Sequence, residues 1–135
     1  MQEIRKDVIG YEWYYTVSNL WRVRWHKWKI MKGKIEKVWW YFRLDLRVKN
    51  IRKTVFIHKL VSEAFLWKQL WVVDHINNNK IDNCVSNLQV LSHKANITKY
   101  HQDKLMLKVL LKNLYKCKHL SIQEFIKVWI SMIFG

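Results

Sequence analysis

Residues 72–97 constrain the fold of this chain more than any other segment. A β-branched run at residues 72–73 leads into an Asp-His pair and an asparagine-rich loop, and a second apolar run occupies residues 88–91. The two runs predict a hairpin, because each is apolar and a turn-forming loop separates them. Ser92 is a typical N-cap for a helix that starts near His93. We therefore expect a strand–loop–strand–helix unit here.

Four polar side chains in this unit suit the hydrolysis of a phosphodiester. His75 can take a proton from water, because an imidazole titrates near pH 6.5. Asp74 and Asn96 offer hard oxygen ligands, and a small set of oxygen ligands favours Mg²⁺ or a similar ion. Asn87 is an amide that can tie the hairpin together and fix the imidazole. Each residue alone has an ordinary role in a turn, a cap or a surface, but the combination indicates a metal-dependent phosphodiesterase.

The charge of the chain points to an anionic partner. Lys and Arg number 25 against 10 acidic residues, for a formal net charge of +15, which favours nucleic acid, an anionic membrane or an acidic protein. Between residues 22 and 53 the only acids are Glu36 and Asp45. A solvated surface usually mixes signs, so we favour phosphate-backbone contact over that alternative. The candidate contacts are Arg22, Arg24, Lys27, Lys29, Arg43, Arg47, Arg52 and Lys53.

Other features of the sequence exclude several classes of protein. No apolar stretch approaches the roughly 20 residues of a membrane span, and the N-terminus has no apolar signal core, so we expect a cytoplasmic protein. A protein of the membrane surface is disfavoured, because the cations lie on β segments. Cys84 and Cys117 are isolated, which argues against a zinc knuckle and a disulfide scaffold. We expect no small-molecule substrate.

Hydrophobic periodicity predicts an α+β fold: an N-terminal antiparallel β region, a central ββα unit and C-terminal helices. Strands are expected at residues 11–17, 20–25, 41–48 and 54–57, and the third should bury one face while Arg43, Asp45 and Arg47 lie on the other. Helices are expected at 58–65, at 101–118, where the helix is basic and amphipathic, and at 125–133 after a capping box. The last two are either a helical cap or the start of a helix-turn-helix.

Two motifs together resemble the homing endonucleases of the HNH family. The series Asp74, His75, Asn87 and Asn96 is similar to the nuclease motif of their ββα-metal finger. The upstream segment GYEWYYTVSNLWRVR is similar to the pattern GYEGxYxVSNxGxVR of the modular N-terminal DNA-binding domain that accompanies many such nucleases. The segments IHKLVSEAF and LQVLSHKANI also match the family, so the resemblance covers residues 1–98.

The resemblance implies a role for each residue of the motif. His75 would be the general base, Asp74 and Asn96 the ligands of Mg²⁺ or another divalent ion such as Mn²⁺, and Asn87 the residue that positions His75. His58 would be structural or face a phosphate. His93 would contact phosphate or be an exposed residue at the start of a helix, and Lys94 beside it would contact DNA.

The resemblance also implies an activity and a domain plan. The chain would cleave or nick double-stranded DNA at a selected site, in a bacterial or phage-infected cell. One active site per chain makes a monomeric nickase natural, while a dimer could cut both strands. The alternative is a non-catalytic DNA-binding protein derived from such a nuclease. The expected domains are a β-rich DNA-binding module at 1–53, the HNH nuclease domain at 54–98, and a helical segment at 99–135.

Three tryptophans depart from the family pattern. Trp13, Trp21 and Trp40 stand where that pattern has glycine. Glycine reaches positive φ without a steric clash, whereas a bulky residue there is an outlier. The tryptophans could be exposed platforms that stack on DNA bases. Alternatively, they could be glycines in the source, if UGA codons that the source decodes as glycine have been translated as tryptophan.

Overall fold

The computed structural model describes residues 2–26, 28–66, 71–116 and 127. Lys27, Cys117, the capping box at 121–124 and the predicted helix at 125–133, apart from Lys127, lie outside the described residues. The chain has an α+β fold and divides into two compact units between Val90 and Leu91.

The first unit begins with a four-stranded antiparallel sheet. Its strands are β1 (Arg5–Asp7), β2 (Tyr15–Ser18), β3 (Val23–Trp25) and β4 (Lys29–Ile30), in that order. β3 starts three residues later than the sequence predicted. The reason is a tight loop, because the backbone N–H of Trp21 donates to the carbonyl of Ser18 at 2.9 Å and that of Ser18 donates to Arg22 at 3.0 Å.

A second sheet carries the predicted half-buried strand. It consists of β5 (Lys34–Ile35), β6 (Phe42–Val48) and β7 (Ile51–Phe56), paired antiparallel in that order. The predicted alternation along β6 is confirmed, since Leu44 and Leu46 are buried while Arg43 and Arg47 are exposed. β7 starts earlier than predicted, because Val48 already pairs with Ile51 across a two-residue turn.

The first helix packs against both sheets. α1 (Ile57–Phe65) buries Leu60, Val61 and Ala64, which is the apolar face that the sequence predicted. The core residues are Val8, Tyr15, Val17, Val23, Leu44, Leu46, Ile57, Leu60, Val61, Ala64 and Leu88. The hydroxyl of Tyr15 donates to the carbonyl of Arg47 at 2.9 Å and accepts from its backbone N–H at 2.7 Å, so one side chain joins β2 to β6.

The predicted hairpin and helix after residue 71 are confirmed. β8 (Val72–His75) pairs with β9 (Leu88–Leu91), and a single 3₁₀ turn (Val85–Asn87) precedes β9. In the second unit, α2 (His93–Lys116) begins after Ser92, whose Oγ accepts from the backbone N–H of Ala95 at 3.2 Å. α2 merges two helices predicted separately, because neither Gly nor Pro interrupts it. None of the helices in the described ranges is long and apolar enough to span a membrane.

The three unexpected tryptophans all have left-handed backbones. Their φ angles are 75° at Trp13, 52° at Trp21 and 60° at Trp40. This confirms the expectation that the backbone at these three positions has a conformation that favours glycine.

Candidate active site

The predicted metal ligand Asp74 is held from the opposite strand of the hairpin. Asp74 is half-buried near the end of β8, and its Oδ2 accepts a hydrogen bond from Nε2 of Gln89 on β9 at 2.7 Å. Because the donor belongs to a paired strand, the carboxylate has a defined orientation. Such outer contacts commonly orient the ligands of metal sites.

His75, the next residue, is buried with only 4% of its surface exposed. Its ring lies 5.5 Å from that of His58 and 6.1 Å from that of Tyr41, measured between centroids. Its Nε2 lies 3.1 Å from Oδ1 of Asn83. Asn83 is not one of the residues predicted from the sequence, because nothing in the sequence distinguishes it from the other asparagines of the turn.

The contacts of Asn83 determine which nitrogen of His75 carries hydrogen. Asn83 is fully buried, and its Nδ2 donates to the carbonyl of Ile81 at 2.8 Å. This bond fixes the amide so that its oxygen, which only accepts, faces His75. Nε2 of a neutral His75 therefore carries the hydrogen, and Nδ1 keeps the lone pair of a base.

Burial favours the neutral form of His75. It lowers the pKa of His75 below its usual value, while the hydrogen bond to Asn83 and the carboxylates of Asp74 and Asp82 only partly oppose this effect. A neutral imidazole can accept a proton at neutral pH, which a general base requires.

Asn87 organises the loop that follows His75. It is buried; its Oδ1 accepts from the backbone N–H of Asn77 at 3.0 Å, and its Nδ2 donates to the carbonyl of Asp82 at 2.8 Å. Its own carbonyl accepts from the backbone N–H of Ile76 at 2.8 Å. Asn87 thus joins the two ends of the loop through these hydrogen bonds. Another amide, that of Asn83, lies 3.1 Å from the His75 ring, and the positioning of His75 by Asn87 stays a prediction.

An aromatic group surrounds His58 beside His75. His58 is buried, with its ring 4.7 Å from that of Tyr41 and stacked 5.6 Å from that of Phe56. Burial, with help from His75 and Lys59, lowers the pKa of His58 to about 3. Its Nδ1 is buried and has no hydrogen-bond partner within the described ranges. These surroundings favour the structural role of His58 over contact with a phosphate.

Tyr41 and Lys80 are two members of this region that the sequence analysis missed. Burial and the Asp74 carboxylate raise the pKa of Tyr41, so its phenol stays neutral. Nζ of Lys80 lies 5.0 Å from the centroid of the Tyr41 ring, a cation–π contact. Its charge also acts to lower the pKa of His75. The positive charge of Lys80 therefore acts on the candidate base, His75.

The remaining predicted residues of this motif belong to the second unit. His93 and Lys94 are exposed in the first turn of α2, and Asn96 is half-buried there. The backbone N–H of Asn96 donates to the carbonyl of Ser92 at 2.9 Å.

The donor set fits an ion that needs few protein ligands. No three His, Cys, Asp or Glu side chains converge as metal ligands in the described parts of the chain, so a zinc-type cluster is absent there. The oxygen ligands predicted from the sequence, a carboxylate and an amide, are of the type that suits Mg²⁺, which usually keeps several of its water ligands.

Most of the predicted DNA contacts are on the surface of the first unit. Arg24 is half-buried, and Lys27 lies outside the described residues. Arg22 forms an ion pair with Glu3 at 2.9 Å, and Arg52 pairs with Asp45, so part of their charge is neutralised within the protein. The exposed members are Arg22, Lys29, Arg43, Arg47, Arg52 and Lys53.

Comparisons with known proteins identify relatives of this chain. No family model matches the chain. The DNA endonuclease I-HmuI of Bacillus phage SP01 is 37% identical over 95 residues, which cover 68% of this chain. A solved structure of DNA binding and cleavage by the HNH homing endonuclease I-HmuI matches 93% of this chain with a TM-score of 0.64 and 29% identity. The chain belongs to the HNH homing endonuclease family.

Family membership confirms the resemblance seen in the sequence and the α+β class of the fold. The chain spans about half of the curated relative, 54% of its length, and 65% of the chain in the solved structure. The activity, substrate and partners of the whole HNH relative are therefore proposals for this chain.

Proposed function

We propose that this protein is a metal-dependent DNA endonuclease that hydrolyses a phosphodiester bond at a selected site. The observation that carries the proposal is the state of His75. The imidazole is buried, its Nε2 lies 3.1 Å from the amide oxygen of Asn83, burial lowers its pKa, and it is next to a carboxylate that Gln89 orients. A general base beside a hard oxygen ligand is the pair that phosphodiester hydrolysis needs.

In this proposal His75 acts through Nδ1. A water molecule attacks the phosphorus atom and loses a proton to Nδ1, while the bond to the leaving oxygen of the sugar breaks and that oxygen takes up a proton from solvent to become a hydroxyl. Asn83 accepts from Nε2–H and so places the lone pair of the neutral ring on Nδ1. Asn87 keeps the loop after His75 closed through its bonds to Asn77 and Asp82, which preserves the position of the base.

Asp74 and Asn96 are the proposed ligands of a divalent ion, Mg²⁺ or Mn²⁺. When bound, such an ion would stabilise the negative charge on the phosphoryl oxygens. The carboxylate of Asp74 already has a defined direction through Gln89, and Lys80 adds a positive charge near the same region. Asn96 supplies the neutral amide oxygen that the family resemblance assigns to this position.

Double-stranded DNA is the proposed substrate and partner. The relative with a solved structure is described as binding and cleaving DNA, and this chain has a net charge of +15. The exposed cations of β6 and β7, with Lys29 of β4, provide phosphate contacts that are independent of sequence. We propose that the protein acts as a monomer, with one cleavage site per chain.

Cleavage of supercoiled plasmid tests the proposal. The plasmid carries the DNA that flanks the gene, and the reaction is run with Mg²⁺ and with a chelator. We expect open-circle or linear product only with the ion. His75→Ala should reduce cleavage about 10²- to 10⁴-fold and leave binding in a gel-shift assay unchanged, whereas His101→Ala, at an exposed position of α2, should behave like wild type.

The same assay distinguishes the alternative function. Binding without cleavage by the wild-type chain would favour a non-catalytic DNA-binding protein derived from such a nuclease. Cleavage by His75→Ala at the wild-type rate would exclude His75 as the base.

A further inference from the structure

We infer that Trp13, Trp21 and Trp40 are glycines in the protein as its own host makes it, encoded by UGA codons that the host reads as glycine. Six non-glycine residues have positive φ within the described ranges, and three of them are tryptophan. Tryptophan contributes only nine of the 135 residues, so its share of these positions far exceeds its share of the chain. The other three are His26, Lys49 and Asn78.

Trp21 occupies a position that hairpin geometry reserves for glycine. Its N–H donates to the carbonyl of Ser18 at 2.9 Å, and the N–H of Ser18 donates to the carbonyl of Arg22 at 3.0 Å. Trp21 is therefore the last residue of the loop, directly before pairing between β2 and β3 resumes. A left-handed residue at this point is usually glycine, as in a G1 bulge.

Trp40 repeats this arrangement in the next sheet. Its N–H donates to the carbonyl of Glu36 at 2.8 Å, and the N–H of Glu36 donates to the carbonyl of Tyr41 at 2.9 Å. Trp40 is again the final loop residue, here between β5 and β6. In both hairpins the ladder of backbone hydrogen bonds determines the left-handed φ, whichever side chain is present.

Trp13 lies in the turn between β1 and β2. The carbonyl of Tyr11 accepts from the N–H groups of both Tyr14 and Tyr15 at 3.1 Å, so the turn closes around Trp13. Its φ of 75° is nearly that of Gly10, at 76°, in the same connection.

Side-chain burial offsets the backbone strain least at Trp13. This side chain is 86% exposed, so little of its apolar surface leaves water, while Trp40 is 52% exposed. Trp21 is half-buried, with its ring 5.3 Å from that of Phe42. Stacking on DNA would explain exposed rings, but it does not explain why they stand on left-handed backbones.

One decoding rule accounts for all these observations. UGA differs from the glycine codon GGA only at the first base, and some genetic codes read UGA as glycine. Translation of such a gene with UGA as tryptophan would convert glycines to tryptophans at the turns. It would also produce a chain with nine tryptophans and only three glycines.

The first test reads the gene and the protein directly. We expect UGA at codons 13, 21 and 40, and peptide mapping by mass spectrometry of the protein from cells that carry the gene should find glycine at each position. UGG codons, or tryptophan in the native peptides, would overturn the inference.

The second test measures the backbone preference in the recombinant chain. Trp13→Gly and Trp40→Gly should each raise the melting temperature by about 2–6 °C, and by more than Trp13→Ala and Trp40→Ala, because alanine keeps the Cβ that strains a left-handed residue. Trp25→Gly is the control, since Trp25 lies within β3 paired with Tyr15, and it should lower the melting temperature. Glycine variants no more stable than their alanine counterparts would contradict the inference.

Discussion

Oδ1 of Asn83 lies 3.1 Å from Nε2 of His75, and both side chains are buried in the first unit. The bond from Asn83 Nδ2 to the carbonyl of Ile81 fixes which amide atom faces the ring. One asparagine of a turn thereby sets the tautomer of the proposed general base.

Asn83→Ala should therefore impair turnover more than DNA binding. Without the acceptor, His75 can rotate and exchange tautomers, so we expect the single-turnover rate to fall about 10- to 100-fold with an unchanged Kd for DNA. Asn83→Asp, which keeps an acceptor oxygen, should retain more activity than Asn83→Ala. The loop control is Asn77→Ala, because Asn77 is exposed and accepts from the N–H of Asn79. Equal losses in Asn77→Ala and Asn83→Ala would point to general damage of the loop instead.

His58 should make the protein sensitive to acid. Its pKa is about 3 in the folded chain and near 6.5 in an unfolded chain, so between these values only the unfolded state takes up a proton. The free energy of unfolding should thus fall by up to about 1.4 kcal/mol per pH unit as the pH drops below 6.5.

His58→Phe removes this proton uptake and keeps an aromatic ring between Tyr41 and Phe56. Urea denaturation at pH 7.5, 6 and 5 should give a shallower loss of stability for the variant than for wild type. Parallel curves for the two proteins would exclude His58 as a source of the acid sensitivity.

The sequence predicted the elements that have strong local signals. The alternation of β6 and the apolar face of α1 follow from periods that a short window contains, and the hairpin of β8 and β9 follows from two apolar runs on either side of a turn-forming loop. Tyr41, Asn83 and Lys80 were missed, because their roles depend on which side chains the tertiary structure brings to His75. The extra short strands β1, β4 and β5 were missed for a related reason, since two or three residues carry no period and form only by pairing with a neighbour.

Arg47 and Arg52 should contribute unequally to DNA binding. They are opposite each other in the ladder of β6 and β7. Arg52 is paired with Asp45, whereas Arg47 is exposed and belongs to none of the ion pairs in the described part of the chain. The logarithm of the binding constant falls by about 0.9 per phosphate contact for each logarithm of salt concentration. Arg47→Gln should reduce this slope by nearly one unit, and Arg52→Gln by less, in fluorescence anisotropy titrations from 50 to 200 mM salt. A slope unchanged in Arg47→Gln would remove β6 from the proposed DNA contacts.

Gln89 should control how tightly the proposed site holds its ion. Its Nε2 donates to Oδ2 of Asp74 at 2.7 Å, and the variant Gln89→Leu leaves that carboxylate without this orienting donor. We expect the Mg²⁺ concentration for half-maximal cleavage to rise about 10- to 100-fold, while the rate at saturating Mg²⁺ returns towards the wild-type value. Gln102→Leu, at an exposed position of α2, is the matched control and should leave the Mg²⁺ titration unchanged. If Gln89→Leu lowers the maximal rate without shifting the Mg²⁺ dependence, the bond to Asp74 serves the fold of the hairpin and not the ion.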